Sequence, residues 1–99
     1  MNDVIKIENA TFLESDLRYY APGLVLGWFA IALDGRRRKR VYLGMYHTDP
    51  ETGQTVRTRS YSEDAKIIEK LKPGDPLSLF VHAWDWTTRD SRCNTFSLA

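Results

Sequence analysis

Residues 24–48 read LVLGWFAIALDGRRRKRVYLGMYHT, and the fold turns on whether this stretch makes a helix or a hairpin. Leu24 to Leu33 is rich in apolar residues at both parities, so periodicity alone also fits a buried helix. Gly27 would weaken a helix, and turn signals bound the run closely, so a strand with both faces covered is expected. On that reading Trp28 belongs to the core. Asp34-Gly35 is a hairpin signal. Arg37 to Thr48 then alternates, with Val41, Leu43 and Met45 inward and Arg40, Tyr42, Gly44 and Tyr46 outward.

Outward from the hairpin, the elements follow in order. Val4 to Leu13 alternates imperfectly, with Ile5, Ile7 and Leu13 on one parity and Lys6 and Glu8 on the other, which reads as a half-buried strand. Glu14 to Gly23 is polar and turns at Pro22-Gly23. After a polar turn at Asp49 to Gly53, Val56 to Tyr61 reads as a strand carrying Arg57, Arg59 and Tyr61 on one face. Ser62 suits a helix N-cap, with Glu63 and Asp64 favourable at the positive end of the helix dipole. Ile67, Ile68 and Leu71 form its apolar stripe, and Pro73-Gly74 stops it. Leu77 to Trp86 is the clearest strand: Leu77, Leu79, Val81 and Ala83 share one parity, and Phe80, His82, Trp84 and Trp86 the other. A polar loop over Thr87 to Asn94 and a short strand over Thr95 to Leu98 complete a β-β-β-α-β-β order.

Ninety-nine residues, 42% of them hydrophobic, suit one domain spanning 1–99 with one packed core. The opening Met1 to Ile5 has neither a basic nor an apolar leader segment, so no signal peptide is expected. The longest apolar run, Leu24 to Leu33, is half what a helix needs to cross a bilayer, so no membrane partner is expected. A single cysteine, Cys93, cannot form an intrachain disulfide, and it reads as an incidental thiol in a reducing, cytoplasmic setting.

Asp64-Ala65-Lys66-Ile67-Ile68-Glu69-Lys70-Leu71-Lys72-Pro73-Gly74-Asp75, followed by Leu77-Ser78-Leu79-Phe80-Val81, resembles the helix, turn and fourth strand of single-stranded DNA-binding proteins of the OB-fold type. Leu24 to Leu33 with its charged hairpin is similar to their second and third segments. The resemblance covers most of the chain in element order but little of it in motif. It implies an all-β fold with one short helix, a five-stranded OB-like Greek-key barrel that binds oligonucleotides. The chain ends soon after its last strand, without the acidic tail by which bacterial tetrameric members recruit partners, so that activity is not expected.

The residue chemistry points the same way independently. The net charge is only +1, yet seven of the fourteen Lys and Arg residues fall between Arg36 and Arg59, opposed there by Asp49 and Glu51 alone. Single strands need cations for phosphates and flat rings for bases. Arg36, Arg38, Arg40, Arg57 and Arg59 supply the cations. Tyr42, Tyr46, Trp84 and Trp86 supply the rings, with Phe80 behind them. About four phosphate contacts would give a logarithmic salt slope near −3.

Blander readings of the same residues stay open. The run Arg36 to Arg40 also fits a solvated hairpin, and Phe80 and Trp84 also fit packing under the helix. Tyr19 and Tyr20 suit closing a barrel end. Catalysis has no support, because phosphate-loop, nucleophile and zinc signatures are all absent. Asp85 reads as the exit from its strand. His47 and His82 have no companion ligands, and Asp49 to Gly53 lacks calcium-loop spacing, so no metal or other cofactor is expected. The rival function is a small protein–protein adaptor or inhibitor, of the kind a mobile element encodes, because exposed Trp, Tyr and Arg also serve interfaces. A homodimer through an exposed sheet edge is a further open alternative.

Overall fold

The computed structural model describes residues 4–21, 24–34, 37–43, 46–48, 51, 55–57, 62–88, 92–93 and 95–99. At its centre is the hairpin of β2 (Leu24–Leu33) and β3 (Arg37–Leu43), paired antiparallel from Gly27 opposite Leu43 to Leu33 opposite Arg37. Val25, Phe29 and Ile31 of β2 and Val41 and Leu43 of β3 are buried on one face. Leu26, Trp28, Ala30 and Ala32 alternate onto the other face, where Ala30 is buried and the others half-buried, so one face joins the core cluster and the second is only partly covered.

The first strand runs further than its alternation suggests. β1 spans Val4–Ala21, 18 residues, and pairs with β2 from Ala10 to Ala21. Two irregularities explain the imperfect pattern. The register shifts between Ile7 and Ala10 opposite β6, and again between Phe12 and Glu14 opposite β2. Each extra residue flips the face that later side chains occupy. Phe12 is therefore the buried residue, Leu13 is only partly covered, and Leu17 returns to the core. The polar stretch from Glu14 onward stays in the strand because Glu14, Asp16 and Arg18 fall on the face open to water.

The stretch Arg37 to Thr48, expected as one strand, is divided between β3 and a second, short element. β4 (Tyr46–Thr48) and β5 (Thr55–Arg57) form a separate two-stranded ribbon, with Tyr46 opposite Arg57. Met45, Arg59 and Tyr61 lie outside the described residues. Helix α1 (Ser62–Glu69) lies near β1 and β2 and buries Ala65 and Ile68. Ile67, expected in its apolar stripe, is 50% exposed, because Ala65 occupies the inward position instead.

The Lys72-Pro73-Gly74-Asp75 turn is built as its residues require. Gly74 has φ 97°, and Asp75 N–H donates to Lys72 O at 3.0 Å, a turn with proline second and glycine third. The Asp75 carboxylate accepts from Lys72 N–H at 2.8 Å. The turn is anchored beside the β1 irregularity: Gly74 N–H donates to Phe12 O at 2.9 Å, and Phe12 N–H to Asp75 O at 2.8 Å.

β6 follows as Pro76–His82, with Leu77, Leu79 and Val81 buried as the alternation predicts. It stops earlier than expected. Ala83–Thr88 forms a second helix, α2, and the chain then adds β7 (Arg92–Cys93) and β8 (Ser97–Leu98). The main sheet has six strands in the order β7-β3-β2-β1-β6-β8, antiparallel except for β3 with β7. The class is all-β with short helices. Among the described residues the sheet is open, with β7 and β8 at its edges, so the expected closure into a barrel is not present in the pairing. The buried apolar residues other than Ala30 form one cluster, completed by Phe96 edge-on to Phe29 at 5.3 Å. Among the described residues, no helix is long and apolar enough to cross a membrane.

Candidate nucleic-acid interface

The outer face of β2 and β3 is built by register. Trp28 pairs directly with Tyr42, Ala30 with Arg40, and Ala32 with Arg38. The two alanines form low ground beside the arginines. Across it the Arg40 guanidinium lies 4.0 Å from the centroid of the Trp28 ring, a cation–π stack. Arg40 is exposed, while Trp28 and Tyr42 are half-buried. Trp28, expected in the core, is instead a surface ring.

β1 supplies the opposite charge to the same face. Glu14 pairs with Ala30 and Asp16 with Trp28. Arg38 reaches Glu14 at 3.6 Å, and Arg18 reaches Asp16 at 3.9 Å. All four side chains are well exposed, so each pair contributes only about 0–1 kcal/mol to stability. The pairs matter more for charge pattern: the face alternates in sign instead of forming a continuous cationic track.

The other proposed rings are not brought to this face as one row. Phe80 lies on the outer side of β6, half-buried, opposite Lys6, whose ammonium is 5.8 Å from its centroid. Lys6 and Asp16 are separated along β1 by on the order of 30 Å of strand, so Phe80 stands well away from Trp28. Trp84 and Trp86 are on α2 and not on a strand. Two residues apart on a helix point to nearly opposite sides. Trp84 is 52% exposed and stacks with His82 at 6.1 Å between centroids. Trp86 is half-buried and turns inward, toward Lys39. Tyr46 and Arg57 sit opposite one another in the β4–β5 ribbon. Arg36 and Arg59 lie outside the described residues.

The sequence reading missed a buried polar centre beneath the sheet. Lys39 shares the inward parity of Val41 and Leu43 and is 1% exposed. Its ammonium donates to the Trp86 carbonyl and lies 3.8 Å from the Trp86 ring centroid. Asp85 is also buried, and its Oδ2 accepts from Thr95 N–H at 2.7 Å, Thr95 Oγ1–H at 2.8 Å and Cys93 Sγ–H at 3.2 Å. The single S–H proton of Cys93 is shared between that carboxylate and Thr95 O, 3.1 Å from Sγ. Burial, reinforced by the Asp85 carboxylate, pushes the Cys93 thiol well above its ordinary range. A thiol held neutral is a poor nucleophile. The parity of Lys39 was the one signal that could have separated it from the surface arginines.

Tyr19, expected to close one end of the molecule, meets α1 there. A hydrogen bond with Glu69, with smaller effects of desolvation and of the Glu69 charge, pushes its phenol up to about 12. Among the described residues, no three His, Cys, Asp or Glu side chains converge as a metal site. Comparison with known proteins finds no matching family model, curated protein or solved structure.

Proposed function

We propose that this chain is a non-catalytic binding module for single-stranded nucleic acid, acting through the outer face of β2 and β3. DNA is favoured by the OB-type resemblance. The observation that carries the reading is the Arg40 guanidinium spread over the Trp28 indole beside Tyr42. That arrangement offers a cation for phosphate and rings for bases within one strand pair. Arg38 extends the same edge once it leaves Glu14. Tyr46 and Arg57 extend the set on the β4–β5 ribbon, and Trp84 stands as a separate exposed ring on α2. A Greek-key, barrel-like arrangement is the finer form of the proposal: the ribbon β4–β5 follows β3 in the chain, and β4 approaches β6. A cytoplasmic setting and a homodimer belong to the same proposal.

The alternation of Arg38, Glu14, Asp16 and Arg18 favours a second reading. A face of both signs is also suited to a protein partner, as in a small adaptor or inhibitor. A titration of tryptophan fluorescence with a single-stranded oligonucleotide, at low and high salt, separates the two. Binding at low salt that weakens as salt rises supports the nucleic-acid reading. A folded protein with no response at low salt refutes it.

A further inference from the structure

We infer that the hairpin end of the sheet holds a pocket for one nucleotide unit, with the base over Trp86 and its phosphate at Arg37; this rests on the nucleic-acid reading above. The depression there has a volume of about 300 Å3. That is at the lower bound of small-ligand sites, room for one base with its sugar and phosphate. It opens between β1, the Leu33–Asp34 end of β2, the start of β3, and α2.

Its lining has the two chemistries that a nucleotide needs. Ile7, Leu33 and Trp86 supply an apolar, aromatic wall, and Asn9 adds an amide for hydrogen bonding. Lys6 and Arg37 stand at the rim as cations. Lys6 is held by Glu8 at 3.5 Å, whereas Arg37 is exposed and makes no ion pair among the described residues. Arg37 is therefore the group ready for a phosphate, with Asp34 and the Lys6-paired Glu8 the two carboxylates of the lining that it must outweigh.

Trp86 is preorganised. Lys39 binds both its ring and its carbonyl from beneath, so a ligand meets an indole already fixed in position. The buried ammonium shares its centre with the Asp85 carboxylate, which offsets its charge, so Lys39 acts on the wall by position. The pocket lies at the end of the sheet, apart from the Trp28–Arg40 face, and it would take either a free mononucleotide or one unit of a strand.

The test is a set of heteronuclear NMR titrations of the folded, isotope-labelled protein. The probes are 5′-dAMP, deoxyadenosine and an oligo(dT) strand. The expected result is that 5′-dAMP shifts the signals of Lys6 to Asn9, Arg37 and the Trp86 indole. Deoxyadenosine should bind about tenfold more weakly, and Arg37→Gln should lose the same factor for 5′-dAMP only. If oligo(dT) moves Trp28 and Arg40 while neither it nor 5′-dAMP moves the pocket signals, the pocket is refuted and the binding face stands. If 5′-dAMP fills the pocket and oligo(dT) moves nothing, the pocket takes free nucleotide and the single-strand reading falls. Silence with all three probes overturns both.

Discussion

The ammonium of Lys39 lies 3.8 Å from the centroid of the Trp86 ring and donates a hydrogen bond to the carbonyl of that same residue. One side chain from β3 thus holds both the ring and the backbone of α2. A lysine inside a small core is costly unless its charge is engaged. Here it joins the hairpin to the C-terminal half of the chain, while the neighbouring Arg38 and Arg40 point the other way.

If the outer face of β2 and β3 binds single strands, Arg40→Gln weakens binding and Trp28→Ala weakens it more. Loss of one stacked ring costs about 1–3 kcal/mol. Loss of one phosphate contact makes the logarithmic salt slope shallower by about 0.7. Fluorescence anisotropy at several salt concentrations measures both. Unchanged affinity in both variants would remove this face from the site.

Gly27→Ala destabilises the fold by more than about 2 kcal/mol. Gly27 has φ 149°, and an added Cβ would stand 2.0 Å from the backbone oxygen of Asp16. The obstacle is main chain, which cannot swing aside as a side chain would. Urea denaturation compares the variant with the wild type, and equal midpoints would contradict this close approach of β1 to Gly27.

Asp85→Asn destabilises by about 2–3 kcal/mol, because one carboxylate oxygen accepts three hydrogen bonds in the buried centre. Thr95→Val removes only the hydroxyl donor and costs about 1 kcal/mol. The double variant should cost less than the sum, since both changes remove the same contact. Strict additivity in denaturant melts would show that the two residues act independently.

The Cys93 thiol stays unreactive toward a thiol reagent at pH 8 in the folded protein and reacts once denaturant is added. Its folded value is raised above the ordinary 9.0. The stability linked to it is therefore complete below about pH 9 and is lost as pH climbs beyond that toward the folded value. Rapid labelling without denaturant would show that the thiol is open to solvent.

The Tyr19 phenol ionises near pH 12, and Glu69→Gln moves that step down toward the ordinary 10.0. The sign follows from its main cause, the hydrogen bond with Glu69, which holds the phenol in its protonated form. A titration of phenolate absorbance in both proteins reads the difference. An unmoved step would break the link between β1 and α1.

Much of the core was legible because period-two alternation is a strong signal where one face is buried. Val41, Leu43, Leu77, Leu79 and Val81 all fall inward as their spacing predicts. The Lys72 to Asp75 turn was equally readable from its proline and glycine. β1 was not, because the register shifts at Ile7/Ala10 and Phe12/Glu14 switch the inward parity and make a continuous strand look like a strand followed by a loop. α2 was hidden for a different reason. Leu77 to Trp86 alternates without a break, and the partners of Asp85 come from Cys93 and Thr95, contacts that only the tertiary fold supplies. Of the candidate site, the alternation of Arg40 and Tyr42 matches the outer face that they occupy. Trp28 was assigned to the wrong one, and Trp86 belongs to a different surface.

The pairing of Arg38 with Glu14 and of Arg18 with Asp16 means that this face carries its own counter-ions. A phosphate arriving at either arginine displaces a carboxylate, and that carboxylate must then recruit a sodium or potassium ion from solution. Each such uptake cancels one of the cations that the nucleic acid sheds on binding. A ligand held this way would leave more slowly as salt rises than the number of arginines on the surface suggests.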